Sequence, residues 1–197
     1  VNSPLYRRSV QINSIDQAIV ILGANRVFTL LQSIIVRSSL ESSDLLEGFW
    51  NSAIEVAHIC SMIAEQFIII DTEMAYNVGM LHAAGIPLMM QNFAEYRAFH
   101  QQYVGLPAKQ LCLLEREHFD TDHYQQGYEL TQYWNLDDHV SLSLRYQPIT
   151  NAIIKNPKHL PTEVPTLLAL LKIAKAISPE YSSYWMQSEN DQALLQN

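Results

Sequence analysis

Apolar residues recur along this chain with the 3.6-residue period of a helix face, and no stretch shows sustained apolar–polar alternation. The clearest run extends from about Leu45 to Phe67, where Phe49, Ala53, Val56, Ala57, Cys60, Ile63 and Ala64 form one stripe. Glycine is scarce, at 6 of 197 residues, while 48% of residues are apolar and 16% charged. That balance fits a packed helical protein and not a disordered one. A chain of this length can bury a full core as one large domain or two small ones. The expectation is therefore an all-α, multi-helix bundle.

The stretch Asp71 to Pro87, DTEMAYNVGMLHAAGIP, reads as one helix capped by Asp71. Met74, Val78, Leu81 and His82 follow i, i+4, i+7, i+8 spacing. Ala75, Gly79, Ala83 and Ala84 are small enough to let other helices approach closely. Gly85 and Pro87 end or bend the helix. His82 is its single ionisable core candidate.

Upstream, residues 1–13 carry turn formers and a short basic patch. Ser14 is an N-cap, and two short helices follow, separated at Gly23. Their spacing resembles a helix-turn-helix, but only Arg26 and Arg37 lie on the second helix. The polar break Ser38–Asp44 leads into the long helix. Downstream, Pro87 to Gln102 gives further helical turns anchored by Phe93, Tyr96 and Phe99, and Ala108 to His118 continues after Pro107. Thr121 or Asp122 starts a helix running to about Trp134, and Val140 to Tyr146 is helical again. Pro148 to Pro165 reads as a long loop and Thr166 to Ile177 as a last apolar helix. The tail carries Tyr181, Tyr184 and Trp185 as anchors.

Twelve Lys and Arg against twenty Asp and Glu leave a net charge of −8. That sign disfavours nucleic acid as a direct ligand, including through residues 14–37. Cys60 and Cys112 form no framework and no CxxC, so they read as reduced core thiols of a cytoplasmic protein. No apolar run reaches the about 18 residues a membrane span needs, and no signal peptide is evident. No nucleophilic triad, P-loop or Rossmann fingerprint is present. The chain opens on Val1, which suggests a piece of a longer polypeptide.

Five separated segments occur in the order of a known family. They are VNSPLYR (1–7), INSIDQAIVILGANRV (12–27), FWNSAIEVA (49–57), MLHAAGIPLMMQNFAEY (80–96) and EREHFDTDHYQQGYELTQYWNL (115–136). Together they resemble the HDOD domain, an offshoot of the HD phosphohydrolase superfamily. The resemblance covers nearly all of residues 1–150 and implies an HD-like helical bundle lacking its first helices. Residues 151–197 are then a loop and C-terminal helices packed on the same domain.

In active HD enzymes of this kind, an early His, a central His-Asp pair and a later Asp bind one or two divalent metals that activate water against a phosphoester. This chain departs from that pattern. Ser52 stands at or beside the early His, His82 is followed by Ala83, and Arg145-Tyr146-Gln147-Pro148 stands where a later His-His can follow. His123 and Glu115 remain. Losing a single ligand costs orders of magnitude in affinity.

The resemblance thus implies a non-catalytic signal-transduction or output domain with no metal expected. Its partner would be another signalling protein or domain, or a small molecule in a vestigial cavity lined by Ser52, His82, Ala83 and His123, with Glu115 beside it. The alternative is a metal-dependent phosphohydrolase using His82, His123 and Glu115 with Mn, Fe, Mg or Zn. Taken singly, His82 and His123 read as buried neutral imidazoles. His58 lies six positions from Ser52, about 120° round the helix, and reads as facing solvent or a neighbouring helix. The dense group Glu115, Glu117, His118, Asp120, Asp122 and His123 reads as the solvated end of a helix.

Overall fold

Asp side chains cap three of the described helices, and a proline precedes a fourth. In the computed structural model, which describes residues 44–157 and 159–185, α1 spans Asp44–Phe67, α2 Thr72–Leu81, α3 Gly85–Asn92, α4 Tyr96–Tyr103 and α5 Ala108–Phe119. They are followed by α6 at His123–Tyr133, α7 at Asp138–Tyr146, a 3-10 turn at Gln147–Ile149, α8 at Thr150–Lys155 and α9 at Glu163–Ile177. Residues 179–185 are helical again. Among the described residues there is no strand, and no helix is long and apolar enough to cross a membrane. The readings of residues 1–43, helix-turn-helix included, lie outside the described residues. All described residues belong to one compact unit, Leu40–Asn197.

The caps follow local chemistry. Asp71 accepts from the backbone N–H of Glu73 and Met74 at 2.9 and 3.0 Å. Asp122 does the same for Gln125 at 2.9 Å, and Asp137 for His139 at 2.8 Å. Each such cap contributes about 1 kcal/mol.

α2 is the axis of the bundle. Every residue from Ala75 to Leu81 is buried, and α1, α7 and α9 pack around it. Gly79 permits the closest of these approaches, since a Cβ there would sit 2.5 Å from the Cα of Ala57. α9 packs against α1, α2, α7 and α8, which explains why Val164, Leu167, Leu168, Leu170 and Leu171 are all buried although they spread around the helix. Each such leucine contributes about 1.5–3 kcal/mol. On the far side, Phe93, Tyr96 and Phe99 ring Phe119 with centroids 5.0, 5.4 and 5.0 Å away.

Two expectations are corrected. The stretch Asp71 to Pro87 is two helices, because α2 stops at Leu81 and a turn over His82–Ala84 leads into α3. The turn tightens to i→i+3 bonds, Ala84 N–H to Leu81 O and Ile86 N–H to Ala83 O. Pro87, lacking an N–H, is accommodated in the first turn of α3. The proline-rich stretch Pro148 to Pro165 is likewise not all loop. It contains α8, and α9 begins at Glu163 with Pro165 in its first turn, where a missing N–H costs nothing.

Candidate functional site

The turn after α2 exposes backbone groups that side chains from elsewhere must satisfy. His82 is 3% exposed. Its Nδ1 donates to the Gly79 carbonyl at 2.7 Å, which leaves Nε2 as an acceptor, and that atom is buried with no partner. The His82 carbonyl, freed by the break, accepts from the Gln147 side-chain amide at 2.6 Å. The oxygen of that same amide accepts from the Lys175 ammonium at 2.7 Å. Burial first, then the Lys175 charge, hold the His82 imidazole well below its ordinary range, against the Gly79 bond. His82 is therefore a neutral imidazole.

His123 stands on the other side. It is the first residue of α6, behind the left-handed Asp120 (φ 57°) that closes α5. Its Nδ1 lies 2.8 Å from both oxygens of Glu115, and its backbone N–H donates to the same carboxylate at 3.2 Å. The Tyr96 hydroxyl donates to Glu115 at 2.5 Å. Burial alone would push the Glu115 carboxyl up, but the His123 imidazole and these hydrogen bonds outweigh it and hold the carboxyl below its ordinary value. Tyr96 is correspondingly pushed up, by burial and by the Glu115 charge, and stays a phenol.

A cavity of about 250 Å³ opens between these groups, lined by His82, Ala83 and His123 among others. Ser52 and Glu115 do not line it. Ser52 is fully buried in α1 with its hydroxyl donating to the Phe49 carbonyl at 2.8 Å, which competes with any ligand role. Glu115 stands behind His123 as its carboxylate partner. His58 faces a neighbouring helix, its ring 5.7 Å from that of Tyr76. The dense polar group at the α5–α6 junction divides, with Glu115, Asp122 and His123 buried and Glu117, His118 and Asp120 exposed. It is not simply a solvated helix end, because Tyr96, Arg116 and the backbone N–H groups at the start of α6 take up the buried charges.

Sequence reasoning missed Lys175, Tyr124 and Tyr181, which line the same cavity. The signal was present for Lys175: it sits at i+4 from Leu171 and i+7 from Leu168, on the buried stripe of an apolar helix. Burial pushes its ammonium down from 10.5 to about 7, and its Nζ lies 5.5 Å from the centre of the Tyr181 ring. Tyr181 in turn packs 5.7 Å from the His82 ring.

These residues do not fit a divalent-metal centre. The described lining offers two imidazoles, two phenols and an ammonium, with no carboxylate to bridge hard cations. Cys112, Glu115 and Asp122 do place ligand atoms within 4.8 Å of one another, but each is engaged. Asp122 pairs with Arg116 at 2.6 Å and caps α6, Glu115 holds Tyr96 and His123, and burial pushes the Cys112 thiol up to about 12.

Comparison with known proteins supports the same architecture. A structure of an HDOD domain protein with unknown function from Geobacter sulfurreducens superposes with a TM-score of 0.63 at 20% identity, covering 89% of this chain and 57% of that one. A protein from Shewanella amazonensis SB2B, described as "Putative phosphohydrolase", superposes at 0.59 with 25% identity, covering 90% of this chain and 66% of its own. The chain thus spans less than two thirds of either solved chain. No curated protein matches it. The family profile of the HDOD domain matches residues 1–149, which include α1 to α7 and the His82 corner, and the chain belongs to the HDOD domain family.

Proposed function

We propose that this domain is a non-catalytic output module of a signalling protein, in which the HD-type cavity is retained and its metal chemistry is not. The observation that carries the reading is the lining of the cavity, where Lys175 shares the wall with His82 and His123 and no carboxylate is among the described residues. In its protonated form, Lys175 at that place repels a divalent metal and favours negative charge. The domain then acts through a partner protein or domain, or through a ligand that changes how the partner is held.

A second reading, metal-dependent phosphohydrolysis, draws on the Glu115–His123 pair. A carboxylate behind an imidazole is how many metal-ligating histidines are oriented. The solved chain described as "Putative phosphohydrolase" lends it support by likeness.

Metal content of protein purified without chelator, together with hydrolysis of a generic phosphodiester, separates the two. The expected result is substoichiometric metal and no turnover above that of His82→Ala. Stoichiometric Mn, Fe or Zn that disappears in His82→Ala overturns the non-catalytic reading.

A further inference from the structure

Beside the inner cavity lies a larger one of about 590 Å³, walled by the 3-10 turn, α8 and α9. The two share Ala108, Tyr124, Lys175 and Tyr181 as common walls. Its volume is within the about 300–1,000 Å³ usual for small-molecule sites.

Its charge is anomalous for this protein. The chain has a net charge of −8 and five lysines, yet three of the five, Lys109, Lys172 and Lys175, line this one cavity, with no acidic residue among the described lining. Nor do two of those lysines spend their charge on acids within the fold. Lys172 donates to the Asn151 side-chain carbonyl at 2.6 Å and Lys175 to that of Gln147 at 2.7 Å. Both partners are neutral, so neither bond sets an acid of the fold against these lysines. Tyr124 and Tyr181 supply ring faces beside Lys175, and both remain phenols, raised by burial. In the inner cavity, His82 contributes a buried Nε2 without a partner, an acceptor for a ligand hydroxyl or N–H.

From this arrangement we infer that the joined cavities form an effector site for a small organic anion, whose phosphate or carboxylate meets Lys109, Lys172 and Lys175 and whose ring lies against Tyr124 and Tyr181. The inference deepens the non-catalytic reading and rests on it in one respect: the positive charge of the cavity is an ammonium and not a metal. A bound anion also competes with Gln147 for Lys175. Because the same amide holds the His82 carbonyl, occupancy is transmitted to the α2–α3 corner. Lys175, Tyr181 and the α8 and α9 residues of this wall lie beyond residue 149, where the family profile ends.

The test is calorimetric titration of the whole chain with three probes: phenyl phosphate, inorganic phosphate and benzyl alcohol. Phenol release is followed in parallel. Saturable 1:1 binding of phenyl phosphate is expected, at least tenfold tighter than either fragment probe. It should weaken tenfold or more in Lys175→Gln, and severalfold in the exposed-site variants Lys109→Gln and Lys172→Gln. These last two keep the test decisive if Lys175→Gln fails to fold. Absence of saturable binding, or binding that all three variants retain unchanged, overturns the proposal. Release of phenol that His82→Ala abolishes, with binding retained, overturns the non-catalytic reading while supporting the anion site.

Discussion

Lys175 and Glu115 make opposite demands on the solvent. The Lys175 ammonium is disfavoured in the fold, so the unfolded chain holds this proton more tightly. Between about 7 and the ordinary 10.5 the unfolded state is therefore the more protonated, and the contribution of this group to stability rises with pH. Cys60 and Cys112, both pushed up to about 12, act in the opposite sense above their ordinary 9.0. The clean window is thus pH 7 to 9. The urea midpoint should increase across it in the wild type and stay flat in Lys175→Met; equal slopes in the two proteins would remove the assignment. Glu115 behaves differently because it is fully buried and satisfied three ways. Glu115→Ala strands the Tyr96 hydroxyl and the His123 imidazole, and should cost about 3–5 kcal/mol in a denaturant titration. Little of this was legible in the sequence. Glu115 sat inside a crowd of charges, and what separates it from exposed Glu117 is a hydroxyl from Tyr96, nineteen positions earlier.

Helices that touch through backbone leave glycine no substitute. A Cβ on Gly85 would lie 1.8 Å from the His123 carbonyl oxygen, whereas one on Gly127, across the same α3–α6 contact, would meet nothing nearer than 3.5 Å. Gly85→Ala should therefore cost at least about 3 kcal/mol by overpacking. Gly127→Ala should be tolerated within about 1 kcal/mol, helped by the better helix propensity of alanine. Thermal melts of the pair check this, and equal losses would contradict it. Helix starts were legible where a single side chain decides them, as at Asp71 and Asp122. The break after Leu81 was not, because the group that makes a free His82 carbonyl tolerable is Gln147, 65 positions away. Gln147→Ala should cost about 1–3 kcal/mol by leaving that carbonyl and one Lys175 donor unpaired.

Across the whole molecule, the all-α class followed from one periodicity repeated in every segment, and the family followed from five ordered motifs. The composition of the cavity did not follow, since its lysines, Lys109 on α5 and Lys172 and Lys175 on α9, all lie outside those motifs. If the domain holds no metal, prolonged dialysis against EDTA should leave its melting temperature unchanged. A fall of several degrees, reversed by Mn or Zn, would show a bound ion that the donor set does not lead one to expect.

The tail closes onto the start of the described chain. Glu55 in α1 accepts from the Ser178 hydroxyl and from the Glu180 backbone N–H at 2.8 Å, partners 123 and 125 positions away. Phe49 packs its ring 6.3 Å from Tyr184 and 6.4 Å from Trp185. During synthesis at about 5–20 residues per second, α1 waits on the order of ten seconds for these partners to be made. The hydrolase-like half of the site, His82 and His123, is translated first. Lys175, which lines the same cavity, follows them by more than fifty residues.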